Sequence, residues 1–457
     1  MGQFEDLLQK TIKIADENGM DETIARITSG TSHQVRFSNS MIDIVKQWEE
    51  EKLELFFVKD QRTTQIDILN PNLDLIEERI KFSVKLLGQI PKNPLYLGME
   101  EKPKKYSSID GLFDPRISAF TDKAPDYVNG TINSSEEAGA KKVAGVLYFG
   151  NTYTELLTSH QFSGDYKDSY YRMTVRSFVD RESSGQDLAC GRDLSKVENI
   201  LSKAGTNAGK LANLSVGAKQ GKAGTYDVIL SPTVAGNVLG QITDNANPIM
   251  IMFGMSPIAE SMNKQIAPDT LNIVDNATIG EGLASRPFDI EGKPSKITPI
   301  LNKGILKNLI HNTSSAKQYG CQSTANSDFM DMGLGSKTLS PAPTNMIYSP
   351  GEQSLDEIIA NSIKPTIYIT SNWYTRFTNY MEGTFSTIPR DGLFVIENGE
   401  ISKPVRNLRL SDNLLRMLKN IDAVGKDIQQ VQWWEVPTPT FIPTIKVKDC
   451  NITAATK

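Results

Sequence analysis

Hydrophobic positions change their period several times along the first ninety residues. Phe4, Leu7, Leu8, Thr11, Ile12 and Ala15 recur in steps of three and four, the spacing of one helical face, and Gly19 supplies a stop. Across residues 23–69 the period falls to two, with Ile24 and Arg26, then Leu53, Leu55 and Phe57, then Ile66 and Ile68. That alternation predicts antiparallel strands with one wet face. Asn70-Pro71-Asn72 opens a second amphipathic helix, carried by Leu73, Ile76, Ile80, Val84 and Leu87 and stopped at Gly88. Residues 89–116 are rich in Pro and Lys and read as a long surface excursion. A further helix is expected over Glu136–Ala144, followed by strands at Val146–Phe149 and Tyr170–Val179.

The segment Gly205–Gly224 is rich in Gly, Ala, Lys and Asn, and the main domain boundary is placed near it: residues 1–214, then 215–457. From Tyr226 onward turn signals multiply and short apolar runs dominate. Ile300–Leu306 and Val395–Ile401 both read as hairpins, and Asn398-Gly399 suits a type I′ turn. The class is therefore α+β, with an N-terminal α+β domain built on an antiparallel sheet and a β-rich C-terminal domain.

Composition narrows the possibilities. A chain of 457 residues with 39% hydrophobic and 23% charged residues can bury a sizeable core. Its net charge of −5 argues against a large nucleic-acid surface. There is no apolar run long enough for a membrane span, and the start, MGQFEDLLQK, has neither the basic nor the apolar region of a signal peptide. The three cysteines, Cys190, Cys321 and Cys450, are odd in number and far apart, which fits free thiols in a cytoplasmic location.

Residues Thr225–Ile242, TYDVILSPTVAGNVLGQI, carry the most specific pattern. A buried-type strand (Tyr226, Val228, Ile229, Leu230) runs into Ser231-Pro232 and then a helix. Ser231 suits the N-cap, and Pro232 suits the first helical position, where no amide hydrogen is needed. Further blocks follow in order: Asp275 with Phe288-Asp289-Ile290-Glu291-Gly292, then Gly304, Leu306, Ala316, Gly320, Thr324 and Asn326; Tyr380–Ser386, YMEGTFS; and Ile396–Ile401 with Pro404-Val405, Ile421, Val424, Gly425 and Asp427. Together they resemble the TldD/PmbA family, also called putative modulators of DNA gyrase, through an FDxEG-like block and an NPxTGDFS-like block. The resemblance implies a barrel-like C-terminal domain and a symmetric or pseudo-symmetric dimer. It also implies cytoplasmic zinc-dependent proteolysis of unstructured peptides, with the metal in TldD-type subunits and none in TldE/PmbA-type subunits.

In the metal-bearing branch this helix carries HExxxH. Here Pro232, Thr233 and Asn237 stand at those positions. Proline has no donor atom, Asn is a poor zinc ligand, and Thr is no base near neutral pH. No His, Cys or Glu occurs between Asn199 and Ala259; the carboxylates there are Asp227 and Asp244. The family's Cys ligand is implied near Gln429–Trp434, QQVQWW, where there is none, and Cys450 is too far downstream.

Other chemistry-bearing residues each have a plainer reading. His311 and Cys321 are ten residues apart and are the alternative metal ligands; two donors do not close a site, and His311 at a strand end with Cys321 as a small buried hydrophobe accounts for both. His160 and Cys190 are isolated. Ser231 lacks the Gly-x-Ser-x-Gly setting of a nucleophile. Asp289 and Glu291 would share one face of a strand and suit a structural hydrogen-bonding role. Trp433-Trp434 fits core or interface packing.

The expectation is a catalytically silent TldE/PmbA-type subunit, a pseudoenzyme with no metal or cofactor of its own. Zinc is expected only in an HExxxH-bearing TldD-like partner, although the chain could also pair with itself. Peptide is the expected substrate, with no nucleic acid and no membrane. Alternatives are a self-sufficient metallopeptidase with ligands drawn from His160, His311, Cys190 and Cys321, and a homodimeric peptide-binding or regulatory protein.

Overall fold

A computed structural model describes residues 2–331 and 337–454. The first half is organised by one six-stranded antiparallel sheet in the order β3-β2-β1-β4-β5-β6. Its strands are β1 (Glu22–Ser38), β2 (Met41–Lys59), β3 (Arg62–Leu69), β4 (Lys142–Thr158), β5 (Ser163–Phe178) and β6 (Ser184–Gly191). The two-residue period decides what each face meets. Ala25, Ile27, Val35 and Phe37 of β1 turn toward the helices. Helices α1 (Glu5–Glu17) and α2 (Leu73–Leu87) cover one end of that face, packing on Leu53, Leu55 and Phe57. Helices α3 (Ile117–Glu137) and α4 (Val197–Leu214) cover the other end, packing on Leu147, Phe149, Met173 and Val175.

The opposite face meets the second half of the chain. Ile24, Phe56, Val58 and Leu156 join Phe162, Phe288, Ile290 and Leu339 in one apolar cluster. Arg26, on the same face, pairs with Glu54 at 2.6 Å and Asp328 at 3.7 Å, and Arg286 reaches Asp328 at 3.3 Å. The wet face of the alternating strands is therefore dry along part of its length.

Two sequence expectations need correction. The helix expected over Glu136–Ala144 lies earlier, at Ile117–Glu137; residues from Lys142 already form β4. Pro125 and Gly130 obscured it, but Phe120, Ala124, Val128 and Ile132 keep the helical spacing and are buried. The Gly- and Ala-rich stretch from Gly205 is not a linker in its first part, because it forms the second half of α4. Its small residues let α4 press on α3: a Cβ at Gly205 would lie 2.3 Å from the Thr131 carbonyl oxygen, and one at Gly209 2.3 Å from that of Ser135.

The second half contains a closed five-stranded barrel. The strands Thr366–Asn379, Gly224–Leu230, Ile445–Ala454, Leu408–Asn413 and Thr384–Glu397 follow one another, and the last pairs back with the first. The hairpin at Val395–Ile401 is present, with Asn398 at φ 55° and Gly399 at φ 79°, the left-handed pair a type I′ turn needs. Beside the barrel lies a second six-stranded sheet that includes Ile273–Asn276, Met346–Tyr348, Val436–Ile442 and the edge strand Gln429–Trp433. Helix α5 (Pro232–Val238) sits between barrel and sheet, and Thr233 through Val238 are all buried. Among the described residues no helix is long and apolar enough to cross a membrane.

One buried arginine ties the halves together. Arg192 donates from Nε to the Gly282 carbonyl (2.9 Å) and from Nη2 to that of Leu283 (3.1 Å). Its Nη1 donates to the carbonyls of Ser169 (2.7 Å) and Leu112 (3.2 Å) and lies 3.3 Å from Asp168. Removing it strands four carbonyls and a carboxylate. Arg192→Met is expected to lower the unfolding free energy by about 3–5 kcal/mol in urea denaturation, the range for breaking a buried, hydrogen-bonded charge.

Candidate functional site

The helix that bears the altered motif begins as its residues require. The Ser231 hydroxyl accepts from the Val234 amide (3.3 Å), donates to the Thr370 carbonyl (2.8 Å), and Pro232 occupies the first turn. Thr233 and Asn237 lie one turn apart on the buried helix.

Asn237 is the hub of a buried polar network, one atom of which, Asn372 Oδ1, has no hydrogen-bond partner. Its Nδ2 donates to the Glu435 carbonyl (2.6 Å) and to Glu435 Oε2 (3.3 Å). Its Oδ1 accepts from Asn372 Nδ2 (2.6 Å) and from the Thr375 hydroxyl. Asn372 also donates to Thr387 Oγ1 at 2.8 Å. The Glu435 carboxylate accepts the backbone amides of Tyr374 (2.8 Å) and Thr375 (3.2 Å), where the strand bulges and Tyr374 adopts φ 59°. A non-glycine residue in the left-handed region is strained, and an anionic acceptor for two successive amides holds it there.

This arrangement does not fit zinc. A hydrolytic zinc needs three N, S or O ligands and an open position. Pro232 offers no donor, Asn237 spends both amide atoms on protein partners, and the Glu435 carboxylate is already engaged. Among the described residues no three His, Cys, Asp or Glu side chains converge as a metal would need.

The remaining candidates are dispersed. His311 is not at a strand end: it precedes the helix Thr313–Tyr319, its Nδ1 lies 3.2 Å from Ser315 Oγ, and burial lowers its pKa to about 4. Cys321 is exposed, not buried, because it follows the left-handed Gly320 that ends that helix. His160 lies between the Glu100 carbonyl (2.9 Å from Nδ1) and Glu22 (3.4 Å from Nε2). Cys190 donates to the Gln430 carbonyl, and burial pushes its pKa up to about 12. All three cysteines are free.

Asp289 and Glu291 lie in a turn, not a strand, since Asp289 folds back on its own chain. It accepts the amides of Glu291 (3.0 Å), Lys293 (2.9 Å) and Ser327 (3.0 Å). Glu291 accepts the Ser327 hydroxyl (3.1 Å) and both the amide and hydroxyl of Thr313. Burial raises both carboxyl pKa values, and Asp289 raises that of Glu291 further.

Two clefts flank the site. One, of about 800 Å³, opens between α4, β6 and the start of α5, and is lined by the part-buried Pro232 and the buried Thr233 beside Asp187, whose pKa burial pushes up to about 6. The other, of about 460 Å³, is walled by Trp373, Trp433 and Trp434 against β1, β4 and β5. Sequence reasoning singled out Trp433-Trp434 but missed Glu435, Asn372 and Thr375, ordinary polar residues with no motif of their own.

Residues 223–454 match the family described as PmbA/TldA metallopeptidase C-terminal domain, which is more than half of the chain. The chain belongs to the PmbA/TldD family. A metalloprotease of Methanothermobacter thermautotrophicus is 26% identical over 230 residues, 50% of this chain and 49% of that protein. A metalloprotease TldD homolog of Buchnera aphidicola is 27% identical over 303 residues, 65% of this chain and 61% of that protein. The chain thus spans about half the length of the first curated relatives it matches. The crystal structure of TldE from Thermococcus kodakarensis superposes with a TM-score of 0.85 over 98% of this chain and 99% of that one, at 17% identity. At that identity the likeness shows the fold.

Two outcomes follow for this PmbA/TldD member. Asn237→Ala leaves Glu435, Asn372 and Thr375 short of partners and is expected to cost about 1–3 kcal/mol by denaturant titration, whereas Thr233→Ala, with no hydrogen bond to lose, changes little. The raised carboxyls at 289 and 291 mean that the folded state holds protons the unfolded state has released. Their contribution is fully present below the ordinary carboxylate range and is lost as pH rises through their raised values. Glu291→Gln is therefore expected to flatten the fall in stability between about pH 5 and about pH 8, read as the change in urea midpoint.

Proposed function

We propose that this chain is the non-catalytic, TldE/PmbA-type subunit of a cytoplasmic zinc metallopeptidase that acts on unstructured peptides. The observation that carries the reading is the Asn237 network: at a position where the resemblance places a metal ligand, an amide is committed to structural hydrogen bonds with Glu435, Asn372 and Thr375. The amide of Asn237 is used at both ends, so the position that would carry a ligand is instead tied to the barrel and to Glu435. The strand Gln429–Trp433, within the segment implied to supply the Cys ligand, packs on this helix, and Glu435, which follows that segment, holds the amides of Tyr374 and Thr375. In this reading the chain braces an HExxxH-bearing partner and supplies one wall of the peptide path, while the partner supplies the zinc-activated water. Three unpaired thiols fit a reducing compartment.

Co-expression with an HExxxH-bearing relative is the test. The pair is expected to co-elute and to cut a casein-type unfolded substrate in a chelator-sensitive way, while the chain alone carries no stoichiometric zinc and cuts nothing. Chelator-sensitive cleavage by the pure chain would sink the reading; a pull-down that returns only the chain itself would favour a homodimeric binding protein. Pro232→His with Asn237→His is expected to leave zinc content unchanged by metal analysis, because two imidazoles still lack a third ligand and a base. The same pair of changes is expected to lower stability, since it removes the pre-set first turn and the hub of the network.

A further inference from the structure

The tryptophan-walled cleft has the chemistry of a receptor for negative charge held beside an apolar group. Trp373, Trp433 and Trp434 pack edge to face, with centroids 5.5–6.2 Å apart. Trp433 is buried, and its Nε1 hydrogen has no acceptor. An indole nitrogen can only donate, and a buried donor without a partner needs one. Trp434, by contrast, is 53% exposed.

Guanidinium groups surround this wall. Arg390 lies 4.8 Å and Arg176 5.1 Å over the ring of Trp373, and Arg36 lines the cleft from β1. Arg176 is neutralised by Asp391 at 2.6 Å. Among the described residues, Arg36 and Arg390 have no carboxylate partner; both are exposed, Arg36 lining the cleft and Arg390 lying over Trp373. Of the acids nearby, Asp391 takes Arg176 and Ser184 on Oδ1, Asp43 accepts from the Ser38 hydroxyl, and Glu435 holds the amides of Tyr374 and Thr375; none of them is paired with Arg36 or Arg390. Arg36 and Arg390 thus place two cations without carboxylate partners beside the aromatic wall. Carboxylate is the group a planar guanidinium binds best, and the ring faces accept an aromatic or apolar side chain.

We propose that this cleft is a subsite for a peptide carboxylate adjacent to an aromatic or apolar residue, with Arg36 and Arg390 receiving the charge and the exposed Trp434 the side chain. This deepens, and rests on, the reading of the chain as the wall of a peptide path. The carboxylate can come from a chain end or from an acidic side chain.

Fluorescence anisotropy with the full chain separates these sources. Three dye-labelled peptides ending in phenylalanine are compared: the free acid, the neutral C-terminal amide, and an amide with an aspartate beside the phenylalanine. At least one charged peptide is expected to bind about tenfold or more tighter than the neutral amide. Binding of the free acid alone assigns a chain end, and binding of the aspartyl amide assigns a side chain. In Arg36→Gln with Arg390→Gln the preference is expected to disappear with melting temperature unchanged, since both side chains are exposed; Trp434→Ala is expected to weaken all three peptides. Equal binding of the three, no binding, or a preference that survives the double arginine variant overturns the proposal. If the chain still co-elutes with its HExxxH-bearing partner in that case, the subsite alone is wrong and the subunit assignment stands.

Discussion

Helix α5 is buried from Thr233 to its end, and the C-terminal half is built around that constraint. A seven-residue helix wedged between a barrel and a sheet must satisfy every polar atom inside the protein. Its N-terminus is closed by Ser231 and Pro232. Its one strongly polar interior side chain, Asn237, is matched by a glutamate carbonyl, an asparagine amide and a threonine hydroxyl. Those partners come from two different sheets, so the helix, the bulge at Tyr374 and the edge strand ending at Trp433 fix one another's positions. A buried amide is compatible with such a seat in a way that an uncoordinated imidazole would not be, because the amide offers donor and acceptor at one end of a short side chain.

The same accounting explains how much could be read beforehand. The helices at Glu5–Glu17 and Leu73–Leu87 were legible because each has a complete apolar stripe and a terminating glycine. The strands of 23–69 were legible through strict alternation. Helix Ile117–Glu137 was hidden by Pro125, because local propensity argues against a helix that tertiary packing on Val35, Phe37 and Phe149 nevertheless stabilises. The Gly- and Ala-rich end of α4 looked like a linker because composition cannot distinguish a flexible glycine from one that admits a neighbouring backbone. For the site, the Ser231-Pro232 helix start and the loss at 232, 233 and 237 could be stated from sequence. The replacement network could not: Asn237, Asn372, Thr375 and Glu435 are brought together from positions up to 198 residues apart, and a polar residue carries no sign of its distant partner. Cys321 shows the opposite failure, where a residue type usually buried is set outside by a helix cap.

The sheet of the first half plays two parts on one face. Near Ile24 and Phe56 that face is dry and carries the second half of the chain; further along, at Arg36, Tyr148 and Arg176, it is wet and forms a cleft wall. Since β1 and β4 run unbroken through both regions, the cleft floor inherits the rigidity of the packed end. The tryptophans opposite are held from the other side by the Asn237 network through Glu435 and Tyr374. Both walls are thus anchored by elements that have no contact with anything in the cleft.

Arg192 sets a limit on motion. Its guanidinium bridges carbonyls at 112 and 169 in the first half and at 282 and 283 in the second, with almost no exposure of its own. Swinging the halves apart would pull a buried charged group away from the two carbonyls of the second half while water is still excluded. The Arg192 bridge therefore resists opening of the two halves as jaws. A chain that enters either cleft must do so end-on or sideways through openings that already exist, and selection among peptides falls to the width of those openings, not to the closing of a hinge.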